Sequence, residues 1–194
     1  MEIGATKAVQ DRLKTTKIEE SKGASLVFCW DTHLTKIKGR NVLFIVNASN
    51  RYTIAMTDIE PRNWNYYTMY IRSVIHGVMQ EMGYSEDQIV QYFKMSGDTT
   101  VTKTHGRKSV GGINRMVMDA QYFGKKLEKE AKYQWELSEY LNRDICQPEG
   151  FDAYGYPNEL FKLDMERLGI ATKRKPAKVI DFTRYIDTNR SSNH

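Results

Sequence analysis

The amino-acid sequence predicts an α+β fold in which an antiparallel β-sheet is packed by helices. Residues 26 to 57 hold three apolar runs, rich in β-branched and aromatic residues, with two short polar turns between them. From residue 63 onward, the apolar side chains recur every three or four positions, which is the period of amphipathic helices. A chain of 194 residues with 40% hydrophobic residues is long enough to bury a core between sheet and helices.

The three apolar runs predict a three-stranded antiparallel meander. The runs are 26–30, 41–46 and 52–56. The segments 38–40 and 47–50 between them contain residues that are typical of tight turns. An N-terminal strand at residues 1–5 and a later strand at residues 100–102 are expected to extend the sheet, with helices covering one of its faces.

The helical pattern is clearest at residues 63–82, where a single apolar stripe is predicted. Gly83 suits the left-handed residue that follows many helices, and Ser85 with Gln88 forms the capping-box pattern that begins a further helix. Later helices are expected at 108–123, 125–142 and 159–168.

The chain is expected to comprise two parts. Residues 1–123 form the α+β domain, and residues 124–194 form a helical extension with a basic segment and a disordered tail. The basic segment contains four candidate contacts to nucleic-acid phosphates, namely Lys173, Arg174, Lys175 and Lys178. The same run equally fits a solvated linker.

Charge and cysteine content indicate a cytoplasmic protein. The formal net charge of +5 favours anionic partners, although many cytosolic proteins without such partners share it. Cys29 and Cys146 lie far apart and neither has a neighbour at metal-ligand spacing, so we expect a reducing compartment, no metal and no cofactor. The sequence begins without the pattern of a secretion signal, and no apolar run reaches the ~20 residues that span a bilayer.

Polar side chains from several segments are expected to meet beside the start of the helix predicted at 108–123. Basic side chains, a hydroxyl group and the free N–H groups of a helix N-terminus are suited to binding a phosphate or a carboxylate. The candidate anion-binding residues are Asn47, Arg51, Lys103, Arg107, Ser109 and Asn114. The alternative is that Ser109 caps the helix and the basic side chains are solvated.

Asp31 and His33 are the candidate catalytic residues, because residues two apart on a strand point to the same face. In that arrangement one would act as a general base and the other would orient it. The alternative is a hydrogen-bonded polar pair at the end of a strand. His33 and Cys29 also resemble metal ligands, but a third and a fourth ligand are missing from the pattern.

Aromatic residues at 63–70 suggest base stacking, since a stacked aromatic contributes ~1–3 kcal/mol per base in proteins that bind single strands. They are Trp64, Tyr66, Tyr67 and Tyr70. Packing against the meander accounts equally well for most of them.

Several short motifs lie at 28–34, 46–48, 51–52, 102–104, 107–109 and 114, within about residues 1–123. Together they resemble an uncharacterised family, catalogued as a domain of unknown function in bacteria, archaea and mobile elements. In the family, the segment that begins at the tryptophan reads Trp-His-Ala-Asn-Leu. This chain has Asp31 in place of the histidine and His33 in place of the asparagine. The resemblance implies an α+β domain with an antiparallel sheet and a plasmid- or phage-borne accessory protein, with no established activity.

Two functions are therefore expected. The first is a non-enzymatic binding protein of a bacterial plasmid or phage, which contacts nucleic acid or inhibits a host protein. The alternative is an enzyme acting on a phosphorylated or nucleotide-like small molecule. In that enzyme Arg51, Lys103 and Arg107 would clamp the anion, and Asp31 or His33 would act as acid or base.

Overall fold

A five-stranded sheet lies at the centre of the computed structural model, which describes residues 1–15 and 18–172. Its strands are β1 (Glu2–Ala5), β2 (Cys29–Ile37), β3 (Arg40–Asn47), β4 (Thr53–Thr57) and β5 (Thr100–Thr102). Their spatial order is β4-β3-β2-β1-β5, so β4 and β5 lie at the two edges.

Helices occupy connections between the strands and follow the last strand. They are α1 (Lys7–Leu13), α2 (Pro61–Asn65), α3 (Tyr67–Glu81), α4 (Glu86–Ser96), α5 (Gly106–Gln121), α6 (Trp135–Asn142) and α7 (Pro157–Arg167). The capping box predicted at Ser85 and Gln88 is confirmed at the start of α4, and Gly83 has the expected left-handed conformation with φ 86°. The helix predicted over 63–82 is interrupted at Tyr66, where α2 ends and α3 begins.

The predicted meander is confirmed, because β2, β3 and β4 pair in antiparallel order. The turn between β2 and β3 contains Lys38 and Gly39 in the left-handed conformation, with φ 49° and 82°. The first strand starts later than predicted, at Cys29, since Leu26–Phe28 forms a short 3-10 turn.

The prediction of a purely antiparallel sheet is wrong for β1 and β5. Strand β1 runs parallel to β2 on one side and parallel to β5 on the other, so the sheet is mixed. The physical reason is that the chain returns over the sheet through α1 before β2, and through α2, α3 and α4 before β5. A crossover connection of this kind brings the next strand in parallel.

Helices cover both faces of the sheet, whereas the sequence predicted one covered face. Successive residues of β3 belong alternately to two apolar clusters: Leu43 and Ile45 pack with Ile71 of α3. Phe44 and its neighbours on the other face pack with Ile113 of α5. A strand that is buried on both sides reads as a continuous apolar run, which is what residues 42–46 are.

The helix predicted over 125–142 is observed only at Trp135–Asn142. The residues just before Trp135 form backbone hydrogen bonds with the edge of β4 and are not helical. The backbone N–H of Thr57 donates to the carbonyl of Lys132 at 2.8 Å, and that of Gln134 donates to the carbonyl of Ala55 at 2.9 Å. Helix α6 packs in the same cluster as α5 and β3.

The division into residues 1–123 and 124–194 stays a prediction. The helix predicted at 159–168 is confirmed as α7. The basic segment that begins at Lys173 and the predicted disordered tail lie outside the described residues. None of the helices in the described part of the chain combines the length and the apolar character that crossing a bilayer requires.

Candidate functional site

Three neighbouring strands bring carboxylate, thiol and imidazole groups together on the α5 side of the sheet. The parallel register places Glu2 of β1 beside Cys29 of β2, and Gly4 beside Asp31. Residues two apart on a strand share a face, so both carboxylates and the thiol project to the same side. Strand β5, which lies on the other side of β1, leads to His105 just before α5.

His105 lies between the two carboxylates. Its Nδ1 is 2.7 Å from Oδ1 of Asp31, and its Nε2 is 3.0 Å from Oε2 of Glu2. The side chain of His105 is only 4% exposed. Both ring nitrogens are therefore engaged, and the imidazole ring is screened from solvent.

The Asp31 carboxylate is fully buried and accepts hydrogen bonds from three groups. Besides the His105 ring, these are the backbone N–H of His105, at 3.2 Å from Oδ1, and the hydroxyl of Ser109, which donates to Oδ2. Because Ser109 is in the first turn of α5, these bonds join that helix to the centre of the sheet. Buried carboxylates require such donors, since an unpaired charge in the interior is costly.

The charges of the cluster shift the pKa of two of its members. Burial lowers the pKa of His105, but the hydrogen bond and the charge of Asp31, with the sulfur of Cys29, outweigh it and raise the pKa to about 10. Burial raises the pKa of Glu2, but hydrogen bonds from the Ser21 hydroxyl, the Lys22 N–H and His105 lower it below its ordinary value. The cluster is a charge-compensated network around a protonated imidazole.

The structure pairs Asp31 with His105, and His33 has a different neighbour. The Nδ1 atom of His33 lies 3.2 Å from the hydroxyl oxygen of Thr6, and burial lowers the pKa of His33. A catalytic role for either of the two candidate residues stays a prediction.

The six candidate anion-binding residues do not form one cluster. Asn47 is fully buried, donates to the carbonyl of Val27 at 2.9 Å and accepts from backbone N–H groups of the turn that follows it. Arg51 donates to the carbonyl of Gly112 in α5 at 2.7 Å. The guanidinium lies so close to this glycine that a Cβ on residue 112 would be 3.0 Å from it. Both residues hold the sheet to the elements around it.

The other four candidates are all close to α5 but face different surroundings. Ser109 is buried against Asp31, as described above. Lys103 is exposed and forms an ion pair with Glu20. Arg107 and Asn114 are exposed on α5 itself.

A family model described as a domain of unknown function (DUF6933) matches residues 2–160. The chain belongs to this family. The resemblance to a family without an established activity is thereby confirmed, and the DUF6933 match extends well past residue 123. No curated protein and no solved structure matches the chain. An origin in a plasmid or phage stays a prediction.

Three members of the polar cluster of this DUF6933 domain are not among the site residues that the sequence predicts. His105 is one of them; the others are Glu2 and Cys29, and the sequence pattern pairs Cys29 only with His33. Together the three residues offer three metal-ligating atoms, a carboxylate oxygen, a sulfur and a nitrogen, that all lie within 4.8 Å of one another. The signal that would have found them is the parallel register of β1 and β2, which the sequence pattern did not predict.

A separate groove of about 530 Å³ runs beside Trp64 of the DUF6933 domain. Arg12 and Arg40 lie in its wall with Leu34 and Ile59. The guanidinium of Arg12 lies 5.4 Å from the centre of the Trp64 ring, a cation–π contact. The volume is in the range of small-molecule sites, which is roughly 300–1,000 Å³.

Proposed function

We propose that this DUF6933 protein is a non-enzymatic binding protein that contacts nucleic acid through its C-terminal basic segment. The proposal rests on the uneven distribution of positive charge along the sequence. Residues 173–194 contain six Lys and Arg and two Asp and Glu, so they contribute four of the five excess positive charges. Clustered cations of this kind bind phosphates by releasing counterions.

The cations of the described part of the chain support the same conclusion, because many of them are neutralised by neighbouring carboxylates. The cationic members of ion pairs include Lys7, Lys22, Arg40, Arg62, Lys103, Arg115, Lys125, Lys132, Arg143 and Arg167. Such pairing weakens the attraction of the folded surface for a polyanion. The basic segment is thus the stronger candidate contact.

The geometry of the polar cluster favours a non-enzymatic protein. A general base has to be within hydrogen-bond reach of a substrate proton. His105 has carboxylates on both ring nitrogens and is 4% exposed. The Ser109 hydroxyl donates to the Asp31 carboxylate, and both residues are buried, so this pair does not face a substrate. The cluster therefore holds the fold together and offers no exposed nucleophile.

Binding of full-length protein to labelled single-stranded and duplex DNA and to RNA, measured by fluorescence anisotropy, tests the proposal. We expect affinity to fall steeply as the salt concentration is raised. In a plot of log affinity against log salt concentration, each lost phosphate contact should reduce the steepness of the slope by about 0.7–0.9. Replacement of Lys173, Arg174, Lys175 and Lys178 by Ala should abolish most of the binding.

The matched control replaces four ion-paired lysines of the folded part by Ala, namely Lys7, Lys22, Lys125 and Lys132. This variant has the same net charge as the first, and we expect it to bind nearly as well as the unmodified protein. Equal weakening in both variants, or no binding to any nucleic acid at low salt, contradicts the proposal.

A second candidate function, an enzyme acting on a phosphorylated or nucleotide-like small molecule, is favoured by the groove beside Trp64. A planar base would stack on the indole and a phosphate would approach Arg12, whereas Arg40 is already paired with Asp58 in the same groove. Titration with ATP, GTP and AMP, followed by tryptophan fluorescence, tests this function together with an assay for released phosphate. A response that disappears in Trp64→Phe and persists in Trp135→Phe would support it; no response to any nucleotide would eliminate it.

A further inference from the structure

We propose that Glu2, Cys29 and His105 form a binding site for a divalent transition-metal ion, for which zinc has the best-matched chemistry. Thiolate and imidazole are the commonest protein ligands of Zn²⁺, and a carboxylate oxygen often completes the set. The hard cations Mg²⁺ and Ca²⁺ prefer oxygen ligands and would not select a cysteine. None of these three residues belongs to the basic segment in the sequence, so the inference does not depend on nucleic-acid binding.

The ligating atoms are close enough for one ion to contact all three. They lie within 4.8 Å of one another, and the Glu2 oxygen and the His105 Nε2 are already 3.0 Å apart. In a tetrahedral zinc site, bond lengths of about 2.0–2.3 Å place the ligand atoms roughly 3.3–3.8 Å apart. The separations in the structure, of up to 4.8 Å, therefore have to shorten by about 1 Å at most for all three atoms to bind one ion.

The backbone holds the three ligands in place from different parts of the chain. Glu2 and Cys29 are direct neighbours across the parallel β1–β2 pair. His105 is carried to them by the turn between β5 and α5. The side chains of Glu2 and His105 are 5% and 4% exposed, and Cys29 is fully buried. A preformed and largely dry site of this kind favours metal binding, since little ordering is required when the ion enters.

Asp31 supplies the outer contact that metal-binding histidines usually make. The ring nitrogen of His105 that faces away from Glu2 is Nδ1, and it lies 2.7 Å from Oδ1 of Asp31. Once Nε2 has given up its proton to make room for the metal, a carboxylate in this position keeps the remaining proton on Nδ1 and strengthens the histidine as a ligand. Asp31 is itself held by Ser109 and by the His105 N–H.

Metal binding at this site exchanges protons for the ion. The proton between His105 Nε2 and Glu2 is released, the thiol of Cys29 loses its proton, and the proton between Nδ1 and Asp31 stays. A water molecule would take the fourth position of a tetrahedral site, as in zinc sites with three protein ligands.

Metal analysis of full-length protein, stripped with a chelator and reloaded with Zn²⁺ or Co²⁺, tests the site. We expect one bound ion per chain. With Co²⁺ we expect the visible bands of a tetrahedral complex, together with the near-ultraviolet charge-transfer band that requires a thiolate ligand. The Cys29→Ser variant should lose the charge-transfer band and at least tenfold in affinity, whereas Cys146→Ser should retain both.

Two further variants keep the test decisive if Cys29→Ser does not fold, as judged by circular dichroism. Glu2→Gln should bind Co²⁺ at least tenfold more weakly. Asp31→Asn, which keeps all three ligands, should retain the thiolate band but bind roughly 10–100-fold more weakly. Absence of a bound ion in the unmodified protein overturns the proposal. So does a Co²⁺ spectrum without a thiolate band, or one that is unchanged in Cys29→Ser, because the ion would then be bound elsewhere.

Discussion

Gly4 lies against the carboxylate of Asp31. A Cβ placed on residue 4 would be 1.8 Å from Oδ1 of Asp31 and 3.0 Å from the Cα of Thr104. Asp31 has no room to withdraw, since its carboxylate is fully buried and is bonded to both His105 and Ser109. The absent side chain at position 4 is therefore what allows a charged cluster to be built inside the sheet.

The first prediction concerns Gly4→Ala. The added methyl group has to displace the buried carboxylate or separate β1 from β2, and overpacking of this kind typically costs about 1–3 kcal/mol. We expect a loss of that size in the free energy of unfolding, measured by urea denaturation.

Gly77→Ala is the matched control for Gly4→Ala. Gly77 is in α3, and a Cβ there would have nothing within 4 Å. Because alanine favours helix over glycine, we expect unchanged stability or a gain of up to about 1 kcal/mol. If Gly4→Ala were as stable as Gly77→Ala, the close contact with Asp31 would be refuted.

The second prediction compares two adjacent tyrosines. The hydroxyl of Tyr67 donates to the hydroxyl of Thr32 at 2.6 Å, and Thr32 in turn donates to the carbonyl of Gly4 at 2.8 Å. Tyr67→Phe removes the first of these two buried hydrogen bonds, so we expect a loss of about 1 kcal/mol in unfolding free energy. Tyr66 is 66% exposed, and Tyr66→Phe should leave the stability within experimental error. Equal effects of the two changes would contradict this assignment.

The third prediction concerns the outer edge of β4, which Asn142 covers. Its side-chain oxygen accepts from the Thr53 N–H at 2.7 Å, and its side-chain nitrogen donates to the Thr53 carbonyl at 2.8 Å. Asn142→Ala leaves both backbone groups without these partners, at about 1–3 kcal/mol for each group. Uncovering a strand edge also promotes aggregation.

Chemical denaturation together with light scattering measures both effects of Asn142→Ala. Asn114→Ala is the control, since Asn114 is exposed on α5, and it should change the stability by less than about 0.5 kcal/mol. A soluble Asn142→Ala protein with unchanged stability would show that α6 does not protect this edge.

The fourth prediction is a pH dependence of stability that arises from His33. Burial lowers the pKa of His33 below the value of about 6.5 that it has in the unfolded chain. Between those two pKa values the unfolded chain binds a proton that the folded protein does not. The contribution of His33 to stability is therefore present above the unfolded pKa and is lost as the pH falls through this window.

His33→Gln isolates this contribution, because glutamine does not titrate and can still contact the hydroxyl of Thr6. We expect the unmodified protein to lose more unfolding free energy than the variant when the pH is lowered from 7.5 to 5.5. Every other titrating group is common to the two proteins and cancels in the comparison. Parallel stability curves over this range would count against a half-buried, neutral His33.

The sequence by itself determined the α+β class, the meander and most of the helix positions. These features depend on local patterns: the apolar runs of the strands, the turn residues between β2 and β3, and the capping box at Ser85 and Gln88. Each acts within a few residues of chain, so it can be read without knowing the rest of the fold.

Only the tertiary structure decided the direction of β1, the burial of both sheet faces and the composition of the polar cluster. Asp31 meets His105, which is 74 residues away, and not the nearby His33. That pairing follows from the parallel register of three strands, and no local pattern encodes a register between distant segments. The candidate site could therefore be predicted only for Asp31 and Ser109, while Glu2, Cys29 and His105 required the assembled sheet.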